Sequence, residues 1–212
     1  MNAKWFTLLI LAAATAVPCL QAQSTHAGPD SSTPNYLLFK VSELSWDDDI
    51  AYVTDVAAGR LGLDTSGGIQ RDKATAAFKL TEGYTINKNI AVEGSAAYVD
   101  DSKFVTTDTT GFDTTIRLQT FTADLTALGV YPFTDKFEGY GQAGIAYYRI
   151  DFEALTQTGE KRKTHDTGVE PLYGLGLRFK FNEQFMADLQ AQQHDLGEFG
   201  ISFISLGFGF RF

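Results

Sequence analysis

The segment Leu172–Asn182 constrains this chain more than any other. Tyr173, Leu175, Leu177, Phe179 and Phe181 are all apolar, whereas Gly174, Gly176, Arg178 and Lys180 between them are small or cationic. A period of two marks a strand whose successive side chains face opposite sides. The last residues repeat the pattern. Ile204, Leu206, Phe208, Phe210 and Phe212 alternate with Ser205, Gly207, Gly209 and Arg211. In water, such an aromatic row would be an aggregation liability. Turned to lipid it is stable, and the small and charged positions then line a lumen.

Similar segments recur along the chain. Strands are predicted over 36–45, 74–86, 90–99, 121–131, 137–150, 172–182, 185–193 and 204–212. Asn87-Lys88, Pro132–Lys136 and Asn182–Gln184 are short turns. The alternate connections are long, 46–73, 100–115 and 151–166, with a shorter one at 194–200. Short turns at one end and long loops at the other give an all-β fold, an eight-stranded antiparallel up-and-down transmembrane β-barrel. An even number of strands closes the sheet without an edge.

Composition is neutral on this point. A mean hydropathy of −0.11 suits a soluble domain equally, including a secreted barrel of lipocalin type, which cell fractionation would distinguish. The net charge of −9, with Lys161-Arg162-Lys163 as the longest basic cluster, argues against nucleic-acid binding.

The first 22 residues read as a secretory signal: Lys4, then an apolar run from Trp5 to Leu20, then a small residue, Ala22, for cleavage. A retained anchor and a lipoprotein signal at Cys19 are the alternatives, the latter disfavoured by Pro18. Residues 23–34 form a polar, Pro/Gly/Ser-rich leader, expected to be disordered, and 35–212 the barrel. Cleavage after Ala22 leaves 212 − 22 = 190 residues without cysteine, which removes disulfides and Cys-based metal sites.

Three motifs in order carry a family resemblance. They are Gly83-Tyr84-Thr85-Ile86-Asn87-Lys88-Asn89-Ile90-Ala91-Val92-Glu93, Tyr131-Pro132-Phe133-Thr134-Asp135, and Lys163-Thr164-His165-Asp166-Thr167-Gly168-Val169-Glu170-Pro171. With the terminal Phe, the chain resembles the transmembrane domain of the outer membrane protein A (OmpA-like) family. The likeness covers most of 35–212 and is weakest over 36–73. It implies an integral protein of the Gram-negative outer membrane, monomeric and without cofactors. Its implied partners are outer-membrane lipids, lipopolysaccharide and the assembly machinery, with Phe208, Phe210 and Phe212 as the C-terminal assembly signal. The family's peptidoglycan-binding domain is expected to be absent.

The family fills its lumen with opposed charges. Those positions fall here on Glu93, Leu128, Arg178 and Asp188, with two signs exchanged and the lysine replaced by leucine. The resemblance therefore implies a barrel-interior network in which Arg178 lies between Glu93 and Asp188, with Asp124 and Gln142 nearby. A gated, narrow conducting path is the sharper reading of the same residues.

No catalytic, cofactor or metal site is assigned. His26, His165 and His194 read as leader or loop histidines, since no nucleophile motif accompanies them. Asp47-Asp48-Asp49 lacks an EF-hand frame, and no helix follows Gly207-Phe208-Gly209-Phe210. Glu82 shares parity with Phe78 and Tyr84, which puts it on the lipid face; either it sits at the periplasmic interface there or a bulge turns it inward. The leading function is non-enzymatic: envelope structure, with loops presented outside. Alternatives are a loop-mediated adhesin or receptor, a narrow channel, and a lipid-modifying enzyme.

Overall fold

The computed structural model describes residues 35–46, 50–63, 69–72, 75–107, 113–156, 161–196 and 199–212. The predicted signal and leader, His26, Cys19 and Asp47–Asp49 lie outside them.

In chain order the elements are β1 (Tyr36–Trp46), α1 (Ile50–Leu61), β2 (Ile69–Asp72), β3 (Thr75–Asn87), β4 (Ile90–Thr107) and β5 (Asp113–Pro132). After them come β6 (Phe137–Thr156), β7 (Lys161–Lys180), β8 (Phe185–Leu196) and β9 (Phe199–Arg211). Each long strand pairs antiparallel with its neighbours, and two pairings close the ring: β1 with β9 over eleven residue pairs, and β4 with β5. The four-residue β2 pairs with β4 beyond the point where β3 leaves off, so β2 and β3 share one lane. The barrel therefore has eight lanes and no free edge.

The alternation becomes inside and outside. Phe39, Val41, Tyr173, Leu175, Leu206 and Phe208 point outward, while Lys40, Ser42, Arg178 and Ser205 between them are buried. On β5, Tyr131 and Phe121 bound the outward apolar stretch. Ten residues at about 3.3 Å rise, tilted by about 40°, give roughly 25 Å of height, the thickness of an outer-membrane apolar band. Tyr98, Phe121 and Tyr147 form one aromatic girdle; Tyr131, Phe133, Phe181, Phe185 and Phe212 form another at the short-turn end.

Two expectations are corrected, and one left open is decided. The long connections at 100–115, 151–166 and 194–200 are mostly strand; β5, β6 and β7 each run 20 residues. Residues 161–171 of β7 remain laddered to β6 although none of them is buried. Along Lys161–Gly168 both faces of β7 stay at least partly exposed, although the partner strand β6 buries its inner face. The hydrogen-bond ladder persists while the apolar alternation that reveals strands disappears. Second, His194 is not in a loop. It lies inside β8 and is fully buried, whereas His165 is an exposed strand residue opposite Asp151. The open case is Glu82, which faces outward as its parity indicates: β3 is regular there, and its irregularity falls at Thr85/Asn87.

The first loop folds into α1, which fills the loop end of the lumen. Ala57, Ala58 and Leu61 pack in one apolar cluster with Leu44, Phe104, Ile116, Ile150, Phe152 and Phe203. Gly62, at φ 66°, ends the helix: its N–H donates to Gly59 O (3.1 Å) and Leu63 N–H to Ala58 O (2.9 Å), a Schellman closure that favours glycine. Arg162 Nη1 donates to Leu61 O and Gly62 O, and Arg60 reaches Asp166 at 3.0 Å.

Candidate functional site

Inside the short-turn half of the barrel six charged residues from five strands meet. Arg178 Nη2 donates to Glu93 Oε1 at 2.8 Å, and Nε to Asp188 Oδ2 at 3.3 Å. Nη1 lies 3.5 Å from Glu138 Oε1, and Glu138 also pairs with Lys180. Lys40 Nζ reaches Asp188 Oδ1 at 2.6 Å. Arg178, Lys40 and Lys180 thus face Glu93, Glu138 and Asp188, three charges against three. Balance is what a poorly solvated interior requires.

Two tyrosines complete the cluster. Tyr36 Oη donates to Glu93 Oε1 (2.7 Å), and Tyr140 Oη lies 3.0 Å from both Asp188 oxygens. The Arg178 guanidinium lies 4.5 Å from the centre of the Tyr36 ring and 5.0 Å from that of Tyr140. Cation–π attraction there adds to the ion pairs. Both rings need a neighbouring glycine. A Cβ on Gly83 would sit 2.0 Å from Tyr36 Cζ, and one on Gly176 2.3 Å from Tyr140 Cζ.

A second cluster lies nearer the loops. Lys79 Nζ donates to Asp124 Oδ2 (2.7 Å) and Gln192 Oε1 (2.5 Å), and Ser95 Oγ donates to the same Asp124 oxygen at 3.2 Å. His194 Nε2 lies 4.0 Å from Asp124, and its ring packs edge-on to Phe203. Between the clusters Gln190 Nε2 donates to Gln142 Oε1 at 3.0 Å.

The expected grouping of Asp124 and Gln142 around Arg178 is therefore corrected: Asp124 serves Lys79, and Gln142 serves Gln190. Leu128, where the resemblance implied a lost lysine, is buried beside Ala91 and Tyr140. The interior keeps its cations by drawing them from Lys40 and Lys79 instead. Sequence reasoning missed both, together with Tyr36, Glu138 and Tyr140. The signal was present: Lys40 stands between Phe39 and Val41, and Lys79 between Phe78 and Leu80, so parity alone turns each inward.

A closed eight-lane barrel with an apolar outer band, aromatic girdles and a charge-balanced interior defines a membrane-spanning β-barrel protein. Over residues 7–212 the chain matches the family described as Outer membrane protein beta-barrel domain, and it belongs to that family. Outer membrane protein A of Escherichia fergusonii is 32% identical over 97 residues, covering 42% of this chain and 40% of the relative. The Shigella dysenteriae protein of the same name is 33% identical over 99 residues, covering 42% and 28%. The match thus spans well under half the length of these relatives. Among solved structures, the chain is similar to Neisserial surface protein A (TM-score 0.54, 10% identity, covering 84% of this chain and 97% of that one). It is similar also to Ail, the attachment invasion locus protein of Yersinia pestis (TM-score 0.51, 18% identity, 84% and 97%). The protein is an integral outer-membrane barrel of OmpA-like type. In barrels of this kind the short turns face the periplasm and the longer connections face outward.

Proposed function

We propose that this protein is a non-enzymatic structural component of the outer membrane, a rigid barrel that contributes to envelope integrity and holds its outer loops in place. The occupied interior carries this reading. Ion pairs fill the periplasmic half, the Gln142–Gln190 pair and then the Lys79–Asp124 cluster the middle, and α1 with its apolar neighbours the outer end. Small barrels are filled by side chains rather than opened by them. Reconstitution in planar bilayers tests it: the folded protein should give no steady conductance, and regular ion-conducting steps would favour the narrow-channel alternative. Deleting the gene should sensitise cells to detergent and to large antibiotics; unchanged sensitivity would count against an envelope role.

The adhesin or receptor alternative draws on the tall β4–β7 ribbon, which rises beyond β8 and β9. Binding of a surface ligand by cells that display the protein, lost when that ribbon is shortened, would favour it. We further propose that the outward row Phe208, Phe210 and Phe212 on the closing strand is read by the assembly machinery. Phe210→Ser with Phe212→Ser should lower outer-membrane yield severalfold while protein refolded in detergent keeps its heat-modifiable migration. Equal yields would sink that proposal.

A further inference from the structure

His194 stands at the boundary between the charged lumen and the apolar seat of α1. Its side chain is fully buried, and neither ring nitrogen has a protein hydrogen-bond partner among the described residues. The ring packs edge-on to Phe203, with centroids 4.9 Å apart. Phe203 belongs to the cluster that holds Ala57, Ala58 and Leu61 of α1. Toward the charged cluster, Nε2 lies 4.0 Å from Asp124 Oδ2, too far for a hydrogen bond. An imidazole thus touches both the helix seat and the polar interior, and is bonded to neither.

The surrounding groups match a ring that takes up a proton. Asp124 Oδ2 already accepts from Lys79 and Ser95, whereas Asp124 Oδ1 has no protein partner among the described residues. The buried hydroxyl of Thr122, on the same strand and the same face, lacks one too. Both nitrogens of an imidazolium donate, so it needs two acceptors, and Phe203 offers none. Among the described residues, the other ionisable side chains facing this end of the lumen are Lys79 on β3, Tyr148 on β6 and Arg162, Asp166 and Glu170 on β7, with Asp55 and Arg60 on α1. Arg60 is paired with Asp166, and Arg162 caps α1. The described side chains that β1, β4 and β9 turn inward at this level, Leu44, Ala97 and Ile201 among them, are uncharged; Lys40 is engaged lower down with Asp188.

We propose that His194 is a proton-binding site that couples acidity to the seating of α1. Proton uptake adds one positive charge to a chamber that otherwise sets the Lys79 ammonium against the Asp124 carboxylate. A charge against the Phe203 edge is costly, and an acceptor lies on the other side. The imidazolium therefore turns from Phe203 and donates to Asp124 Oδ1 and Thr122 Oγ1. Lys79 need not move, because it keeps Gln192 Oε1 at 2.5 Å. The seat of α1 loses the ring that packs on Phe203, and the helix loosens in the mouth. When pH rises the ring releases its proton to water and returns. Histidine is the side chain whose charge changes closest to neutral pH. The site rests on lumen geometry and not on the envelope role proposed above.

The test uses the full barrel in phosphatidylcholine nanodiscs, isotope-labelled at histidine and titrated from about pH 7.5 to about pH 4. Ring NMR shifts of His194 report its protonation. Amide-exchange protection, corrected for the intrinsic pH dependence of exchange, reports the seating of α1. Protection of residues 55–63 should fall by at least about tenfold on acidification, with the midpoint of the His194 ring, while amides of β5–β6 in the membrane keep theirs. His194→Leu, which leaves an apolar side chain against Phe203, should hold α1 in place throughout. Asp166→Asn and Glu170→Gln, which remove the two β7 carboxylates facing the mouth, should leave the fall intact. A His194 ring still neutral at the acid end, an α1 midpoint different from that of the ring, or the same loss of protection in His194→Leu would each overturn the proposal. Abolition of the response by Asp166→Asn or Glu170→Gln would overturn it as well. Both midpoints are read on the native protein, so they decide the matter even where His194→Leu fails to fold.

Discussion

Lys40 and Asp188 form a fully buried ion pair of 2.6 Å across the closing strand of the barrel. They sit on β1 and β8, and the residue between them in register is Gly207 of β9. With no side chain there, Lys40 lies across β9 to its partner; a Cβ on Gly207 would come within 2.8 Å of Lys40 Cγ. The seam where first and last strands meet is thus clamped by charge as well as by the backbone ladder.

Lys40→Met should therefore destabilise the barrel by about 3–5 kcal/mol, because Asp188 is left with Tyr140 and one longer contact to Arg178. Lys40→Met with Asp188→Leu should cost less than the sum of the two single changes, since no seam carboxylate is then stranded. Urea unfolding in lipid vesicles measures both. Strictly additive costs would show that the pair is not coupled.

Arg178→Leu should cost about as much, 3–5 kcal/mol, by leaving Glu93, Glu138 and Asp188 short of a cation. The exchange Arg178→Glu with Asp188→Arg restores the family's usual polarity, yet it should not restore stability here. It sets the new arginine against Lys40 and the new glutamate near Glu93 and Glu138. Unfolding free energies within error of the native protein for the exchanged variant would refute this account of the network.

Gly176→Ala should destabilise by about 1–3 kcal/mol through overpacking, because the added Cβ falls on the Tyr140 ring rather than on a flexible chain end. Removing the ring in the same protein, with Tyr140→Ala, should make the alanine at 176 nearly neutral. The temperature at which the folded gel band shifts to the unfolded one reports both changes. A Gly176→Ala band shift at the native temperature would mean the ring is not pinned where it lies.

Ala58→Glu should release α1 from the lumen, because a carboxylate at a fully buried position among Phe104, Ile116 and Phe152 has no partner there. Backbone amides of residues 55–63 should then exchange with solvent at least tenfold faster, while those of β5–β6 in the membrane stay protected. Exchange as slow as in the native protein would show that the helix is not held by that face.

The sequence by itself determined the membrane-spanning half of this protein. Along Leu172–Asn182 and 204–212, and within 74–99, lipid on one side and a narrow lumen on the other impose opposite chemistries on alternate residues. Parity therefore reads out strand, register and facing together, as it did for Arg178 and Asp188. Only the tertiary structure decided what lies beyond the membrane and who meets whom within it. The outer halves of β4–β6 reverse the chemistry of the two faces, turning Phe104, Ile116, Ile150 and Phe152 inward and polar residues outward, and outer β7 buries neither face, so these stretches read as loops. The helix at Ile50–Leu61 buries Ala57, Ala58 and Leu61 in a lumen mouth that only the closed barrel creates. Parity could turn Lys40, Lys79 and Asp124 inward, but it gives each residue a facing and not a height. Partners across a lumen are chosen by the stagger of eight strands, so Lys40 meets Asp188 and Lys79 meets Asp124, whereas family analogy pointed Asp124 toward Arg178.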